Sequence, residues 1–324
     1  MSSRNRDDEL SPLDLLLETL NSTVSTMSIV FVMLFLTGVM VEMGFFQRVS
    51  YIARPLVSIS RLPSVSASTF AISFGSPLAA NTMIARLREE GTLSERQAFL
   101  SAVMNSVPVY FREFFTYQLA FVIPVLGMIV GGLYAAVAIA TGLIKLLLVV
   151  ILGRAYLSEE SSISPVAREL QDRMGIIEAA KKSLRGQMRI FLRISSLFFV
   201  MTFLVLYLSK EGILGSINVL PIAQTFRIPS ETVVPLTIYV ASPKAGITLL
   251  GPMIQTGAIS EMKALMVLML GSLFMLPAYS VRSLIPNYTS VFGMRLGLSL
   301  VVTSTVISVL VRLIVLVMLV VLVP

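Results

Sequence analysis

The sequence predicts an all-α integral membrane protein built as an inverted structural repeat. Each half holds about three transmembrane helices and one broken-helix re-entrant hairpin. Three observations carry this: the composition, an ungapped internal repeat, and a Ser-Pro break inside one apolar run of each copy. The 324 residues are 56% hydrophobic and 13% charged, whereas ordinary soluble domains carry about a quarter charged residues. Only a bilayer solvates such a chain, and the expected location is the cell membrane, multi-pass.

The apolar runs justify the elements in order. "VSTMSIVFVMLFLTGVMVEMGFF" (24–46) is long enough to span. Residues 64–90 are apolar but broken at Ser76-Pro77. Runs at about 94–111 and 126–153 follow. After a polar, basic stretch the pattern resumes with 189–209, a run broken at Ser242-Pro243, another near 260–277, and a last one at about 292–323. The expected organisation is a polar N-terminal segment (1–22), a first repeat (23–153), a basic amphipathic linker (154–188) and a second repeat (189–324). "MSSRNRDDELSPLDLLLETLNS" lacks the basic start and short apolar core of a secretory signal.

The repeat has a constant shift of 166 residues. "SPLAANTMIARLREEGTLSERQA" (76–98) falls on "SPKAGITLLGPMIQTGAISEMKA" (242–264). The matches include Ser76/Ser242, Pro77/Pro243, Thr82/Thr248, Gly91/Gly257 and Glu95/Glu261, and further on Gly127/Gly293 and Gly131/Gly297. Shared apolar composition explains Leu and Val matches, but not Pro, Gly and Glu matches in one register. Ser94 and Ser260, each followed by Glu, read as helix N-caps.

Charge sets the orientation. Each arm of a broken run is about 12 residues, roughly 18 Å of helix, against about 30 Å of hydrocarbon. If each broken run is a hairpin that leaves on the side it entered, each half has an odd number of crossings and the halves are inverted. Arg48, Arg54, Arg61, Arg86, Arg88 and Arg96 then share a side with the linker's Arg154, Arg168, Arg173, Lys181, Lys182 and Arg185. That side, linker included, is expected to be cytoplasmic. The linker reads as an amphipathic helix on the membrane surface.

"FGSPLAANTMIARLREEGTLSERQA" resembles the nucleoside-recognition, or Gate, domain family. This family includes concentrative nucleoside transporters, the membrane part of bacterial ferrous-iron permeases, and small stand-alone membrane proteins of archaea and of sporulation. The resemblance covers about 55–112 and 221–278 and implies inverted repeats whose hairpin tips meet near the midplane. Nucleoside carriers place a carboxylate just before the first-tip Pro, where this chain has Gly75 and Ser76. Iron permeases bring a cysteine to the comparable break, and this chain has none. Length and duplication match the stand-alone archaeal type best.

Helix breaks free backbone groups that protein or a wet cavity must satisfy, and half-helix N-termini attract anions. Ser76, Pro77, Asn81 and Thr82 on one tip, and Ser242, Pro243, Lys244 and Thr248 on the other, are the expected substrate-binding residues, joined by Asn105. Asn105, Ser106 and Ser272 also offer helix–helix hydrogen bonds. Lys244, which stands where the first copy has Leu78, reads as a buried intramembrane cation that faces a substrate anion or stands in for a coupling cation; the alternatives are that it snorkels to an interface or forms a structural ion pair with Glu42 or Glu113. Lys145 and Arg312 are expected to snorkel.

The chain has no Cys and no His. Thiolate sites, haem and Ser-His-Asp triads are therefore excluded, most zinc and copper sites go with them, and no metal or cofactor is expected. No paired-carboxylate motif stands at helical spacing, so the chain is not read as an enzyme. The net charge of +7 sits in loops and linker and does not imply nucleic acid. The expected partners are the lipid bilayer and a small-molecule solute, with a homo-oligomer allowed. The expected function is a transporter or permease for a small polar or anionic solute, nucleoside-like solutes included, bound at the midplane. The alternative is a non-transporting scaffold that docks a partner through its basic linker.

Overall fold

The computed structural model describes residues 12–43, 53–157, 175–210 and 232–322, and these hold helices and no strand. The first half contains α1 (Pro12–Glu42), α2 (Ala53–Ile59), α3 (Val65–Ser73), α4 (Pro77–Glu89), α5 (Glu95–Met104) and α6 (Val107–Glu113). A wide π-helical segment (Phe114–Val122) leads to the short α7 (Ile123–Leu126) and the long α8 (Met128–Tyr156). The second half contains α9 (Ile176–Lys210), α10 (Val233–Ala241), α11 (Pro243–Gln255) and α12 (Glu261–Tyr279). A second π segment (Ser280–Leu284), α13 (Ile285–Phe292) and α14 (Met294–Leu322) complete it.

Among the described residues, four helical stretches are long and apolar enough to cross a membrane: Leu13–Met40, Met128–Tyr156, Glu261–Phe292 and Met294–Leu322. Their outward faces bear aliphatics, as in α14, where Val302, Val306, Leu310, Ile314 and Val317 are all exposed. In a soluble protein such a stripe would be buried.

The 166-residue shift recurs in the backbone. α4 and α11 have 13 residues each, and α8 and α14 have 29 each, all starting 166 residues apart. Gly91 and Gly257 close the turns after α4 and α11 with φ of 77° and 72°. Gly127 (φ 84°, ψ 168°) and Gly293 (φ 80°, ψ 167°) open α8 and α14. One turn on, a Cβ at Gly131 would lie 2.6 Å from Ile123 Cα, and one at Gly297 2.6 Å from the Tyr288 carbonyl oxygen. The glycine matches thus mark one device, a sharp turn that lays each long helix against the short helix before it.

Both Ser-Pro breaks reverse the chain. Ser66 bonds Ser101 (2.8 Å) and Thr69 donates to Asn105 (3.4 Å), so α3 runs parallel to α5. Asn105 donates to Asn81 (3.4 Å) across the turn at Gly91, so α4 runs antiparallel to α5. Hence α3 and α4 form a helical hairpin with its tip at 74–76. In the second half Gly246 of α11 lies against the backbone of Tyr239 in α10, where an added Cβ would be 2.5 Å from Tyr239 Cα. Residues seven apart in one straight helix stand about 10 Å apart, so the chain folds back at Ser242 as well.

Contacts between the halves are reciprocal. α5 packs on α14 and its counterpart α12 on α8; α4 packs on α13 and its counterpart α11 on α7. The counterparts α1 and α9 lie antiparallel. Glu42 pairs with Lys182 (2.7 Å), Ser183 donates to the Phe35 carbonyl (3.0 Å), and Phe31 meets Phe191 edge-on at 4.9 Å.

Two boundaries differ from the sequence reading. Residues 12–22 are helical and continuous with the first span. Of the linker, 158–174 lie outside the described residues, and 176–188 form one uninterrupted helix with 189–210. No Pro or Gly-Pro signal separates that basic stretch from the apolar run, so nothing ends the helix between them.

Candidate functional site

Ser76 is the extended N-cap of α4 (φ −141°, ψ 100°), and its hydroxyl accepts from the Ala79 amide at 3.2 Å. Ser242 has nearly the same backbone (φ −149°, ψ 99°) with no side-chain cap bond. Pro follows each at the first helical position, where its missing N–H costs nothing. The carbonyls freed at the end of α3 are taken up by Arg112, whose Nη1 donates to Phe74 and Gly75 at 3.0 Å each.

The two tips border one cavity of about 1220 Å³. Pro77, Asn81 and Asn105 line it from the first half, and Ser242, Pro243 and Lys244 from the second. Asn81 and Asn105 are buried, 5% and 2% exposed, and Asn81 also engages the Tyr288 hydroxyl. Lys244 is not the buried cation that its apolar sequence context suggested. It is exposed at the second position of α11, its Nζ 5.9 Å from the centre of the Tyr117 ring. Glu42 is engaged by Lys182.

Three expected residues are not on the wall. The Ser76 hydroxyl serves its own cap. Thr82 donates to the Leu78 carbonyl at 2.9 Å and Thr248 to the Lys244 carbonyl at 2.8 Å. Threonine in a helix readily bonds the carbonyl one turn back. Thr248 is also fully buried.

The structure adds residues that the sequence reading placed elsewhere. Lys145 and Arg312, expected to snorkel, are 4% and 8% exposed and line the cavity. Each stands ten or more residues from the nearer end of its helix, roughly 15 Å or more, too far for its side chain to reach an interface. Lys145 Nζ donates to the Tyr110 hydroxyl at 3.0 Å and lies 4.9 Å from that ring's centre. The same hydroxyl is 3.4 Å from Ser308 Oγ, and Arg312 Nη1 donates to the Ser308 carbonyl at 3.0 Å. The default reading of an intramembrane charge as functional would have selected both. Arg112, Arg282 and Glu113 also line the cavity, making five cations against one carboxylate with Lys145, Lys244 and Arg312 counted.

A second group adjoins the cavity. Tyr134 and Tyr239 share a hydrogen bond of 2.6 Å, and Tyr239 also meets Ser272 Oγ at 3.0 Å. Tyr134 reaches the wall, so the second hairpin is tied to α8 beside the cavity. Tyr239→Phe is expected to lower the melting temperature in detergent by a few degrees, because Tyr134 and Ser272 each lose a buried partner. An unchanged melting temperature would show the pair to be inert.

No family model matches the chain, and no solved structure does. Three proteins of Methanocaldococcus jannaschii, each described as uncharacterized, are similar along nearly their whole length. MJ0880 is 24% identical over 291 residues, 88% of this chain and 93% of its own. MJ0871 is 26% identical over 291 residues, covering 89% and 90%. MJ1556 is 21% identical over 309 residues, covering 92% and 96%.

Proposed function

We propose that this chain is a multi-pass permease of the Gate type, carrying a small polar or anionic solute bound between its two hairpin tips. The observation that carries the reading is that both Ser-Pro breaks, distant in sequence, open onto one cavity of about 1220 Å³. Irregular backbone at membrane depth is tolerated where it lines such a cavity, and paired broken helices are how many carriers build a midplane site.

The inverted arrangement draws support from the antiparallel pairing of α1 with its counterpart α9 and from the reciprocal contacts between the halves. A two-fold axis lying in the membrane plane relates counterparts in this way. The re-entrant reading draws support from arm length. Thirteen residues are about 20 Å of helix, short of a hydrocarbon core of about 30 Å. In this orientation the base of the first hairpin and the start of α9 share the cytoplasmic side. The chain has no native cysteine, so Glu89→Cys and Lys181→Cys, both at exposed positions, are expected to label from one face of sealed vesicles. Labelling from opposite faces would remove the topology.

The function itself is tested by screening metabolites for stabilisation in detergent and then measuring counterflow of the hits in proteoliposomes. A hit whose stabilisation and flux fall at least tenfold in Lys244→Ala supports the permease. A scaffold reading rests on the α9 face formed by Lys181, Leu184, Arg185, Met188, Arg189 and Leu192. It gains only if no solute stabilises or exchanges and charge reversal on that face alone abolishes the cellular role.

A further inference from the structure

The wall of the cavity holds an arrangement that the hairpin tips do not explain. Lys145 and Arg312 come from the last helix of each half, one position out of register in the repeat. Both are more than nine-tenths buried and both act on the Tyr110 hydroxyl. Among the described residues neither stands within ion-pair distance of a carboxylate. Glu113, the one acid on the wall, interacts electrostatically with Lys145 and with Arg112, while Arg112 spends its hydrogen bonds on the hairpin carbonyls. The Arg312 Nε–H is buried with no hydrogen-bond partner.

Two like charges held around one phenol, away from bulk water, are costly unless an anion joins them. An orphaned guanidinium donor calls for an acceptor. Lysine as a point charge and arginine as a fork together match an oxyanion, whose oxygens accept from both. The Ser308 hydroxyl donates to the Ser304 carbonyl at 2.8 Å, so the Tyr110 hydroxyl donates to Ser308 and accepts from Lys145, and the two hydroxyls hold the cations in place.

We infer that Lys145 and Arg312, positioned by Tyr110 and Ser308, form an oxyanion subsite in the cavity wall that takes the phosphate or carboxylate group of the bound molecule. This inference rests on the permease reading for its role, since it makes the carried solute an anion. A subsite shared by the final helices of both halves closes only while those helices are together, so a bound anion holds the halves in one relative position.

The test measures binding to the purified full chain in detergent. Inorganic phosphate, succinate, glycerol 3-phosphate, glycerol and dioctanoyl phosphatidic acid are the probes. The wild type is expected to bind at least one phosphate or carboxylate probe, and glycerol 3-phosphate at least thirtyfold more tightly than glycerol. Lys145→Met and Arg312→Met are each expected to weaken anion binding at least tenfold. Without ligand, each is expected to keep or raise the melting temperature, because a buried unpaired cation has been removed. Lys145→Arg is expected to retain binding within threefold.

Binding of phosphatidic acid alone assigns the subsite to a lipid headgroup, and binding of the soluble anions assigns it to a solute. Wild-type affinity in either Met variant, or equal binding of glycerol and glycerol 3-phosphate, overturns the subsite; the second comparison needs no variant to fold. Flux decides the function separately. Anion binding without counterflow keeps the subsite and removes the permease. Counterflow of a solute that both Met variants carry at the wild-type rate keeps the permease and removes the subsite.

Discussion

A single methyl group at position 246 is expected to dislodge the second hairpin. In Gly246→Ala the new Cβ would stand 2.5 Å from Tyr239 Cα and 2.8 Å from Tyr239 N, and it would overlap Tyr239 Cβ. These are backbone and first side-chain atoms, which cannot swing aside as a chain end could. Tyr239 cannot retreat either. Its hydroxyl is held by Tyr134 and Ser272, and its ring lies against Gly271, where a Cβ would come within 2.6 Å of Tyr239 Cδ1. Overpacking a well-filled core costs about 1–3 kcal/mol when side chains can adjust. With backbone in the way, the effect is expected at or above the top of that range. The measurement is the melting temperature in detergent, with Gly132→Ala as the control. Gly132 lies in α8 with nothing within 4 Å of its added Cβ, so that change is neutral or stabilising. Equal melting temperatures for the two variants would refute the close crossing.

The second large effect tests the duplication itself. Gly127 and Gly293 occupy the same region of backbone space, with φ above 80° or at it and ψ near 168°, which is essentially reserved for glycine. Neither position is crowded, since a Cβ at either would meet nothing within 4 Å. Gly127→Ala and Gly293→Ala should therefore isolate backbone strain from packing. Each is expected to destabilise by about 1–3 kcal/mol, by similar amounts, and the losses should add in the double variant. A loss at one site with none at the other would mean that the two turns are not one repeated device.

Much of this architecture was legible because it depends on residues with few conformational options. Proline after serine breaks a helix wherever it stands, so aligning the copies exposed both breaks; Gly127 and Gly293 matched in the same register, but it is their positive φ that shows them to be turns into the long helices. Direction around a helix was not legible. Lys145 and Arg312 sit in apolar runs that give no azimuth, and only the packing of α8 and α14 about Tyr110 turns them inward. Lys244 looked buried because its neighbours in sequence are apolar, yet it projects from the first turn of a helix at a cavity edge. Thr82 and Thr248 matched between copies for a local reason: their hydroxyls bond the carbonyl four residues back. The first copy's interruption after Met104 was also missed. Asn105 and Pro108 mark it, but the second copy runs on as helix to Tyr279.

The two halves also differ at matched positions around their hairpins. At three of them the first half carries Ser73, Ala80 and Asn105, and the second Tyr239, Gly246 and Gly271. The backbone and Cβ of residue 239 leave no room for a Cβ at 246, and the tyrosine ring leaves none at 271. The close crossing therefore needs the glycine at 246 whatever stands at 239, whereas the glycine at 271 is needed only because the ring is there. The two hairpins are thus not interchangeable: a chimaera carrying two first-type hairpins would lack the wedge against Tyr134, and one carrying two second-type hairpins would lose Asn81, and with it the Asn81–Asn105 pair, from the wall of the cavity.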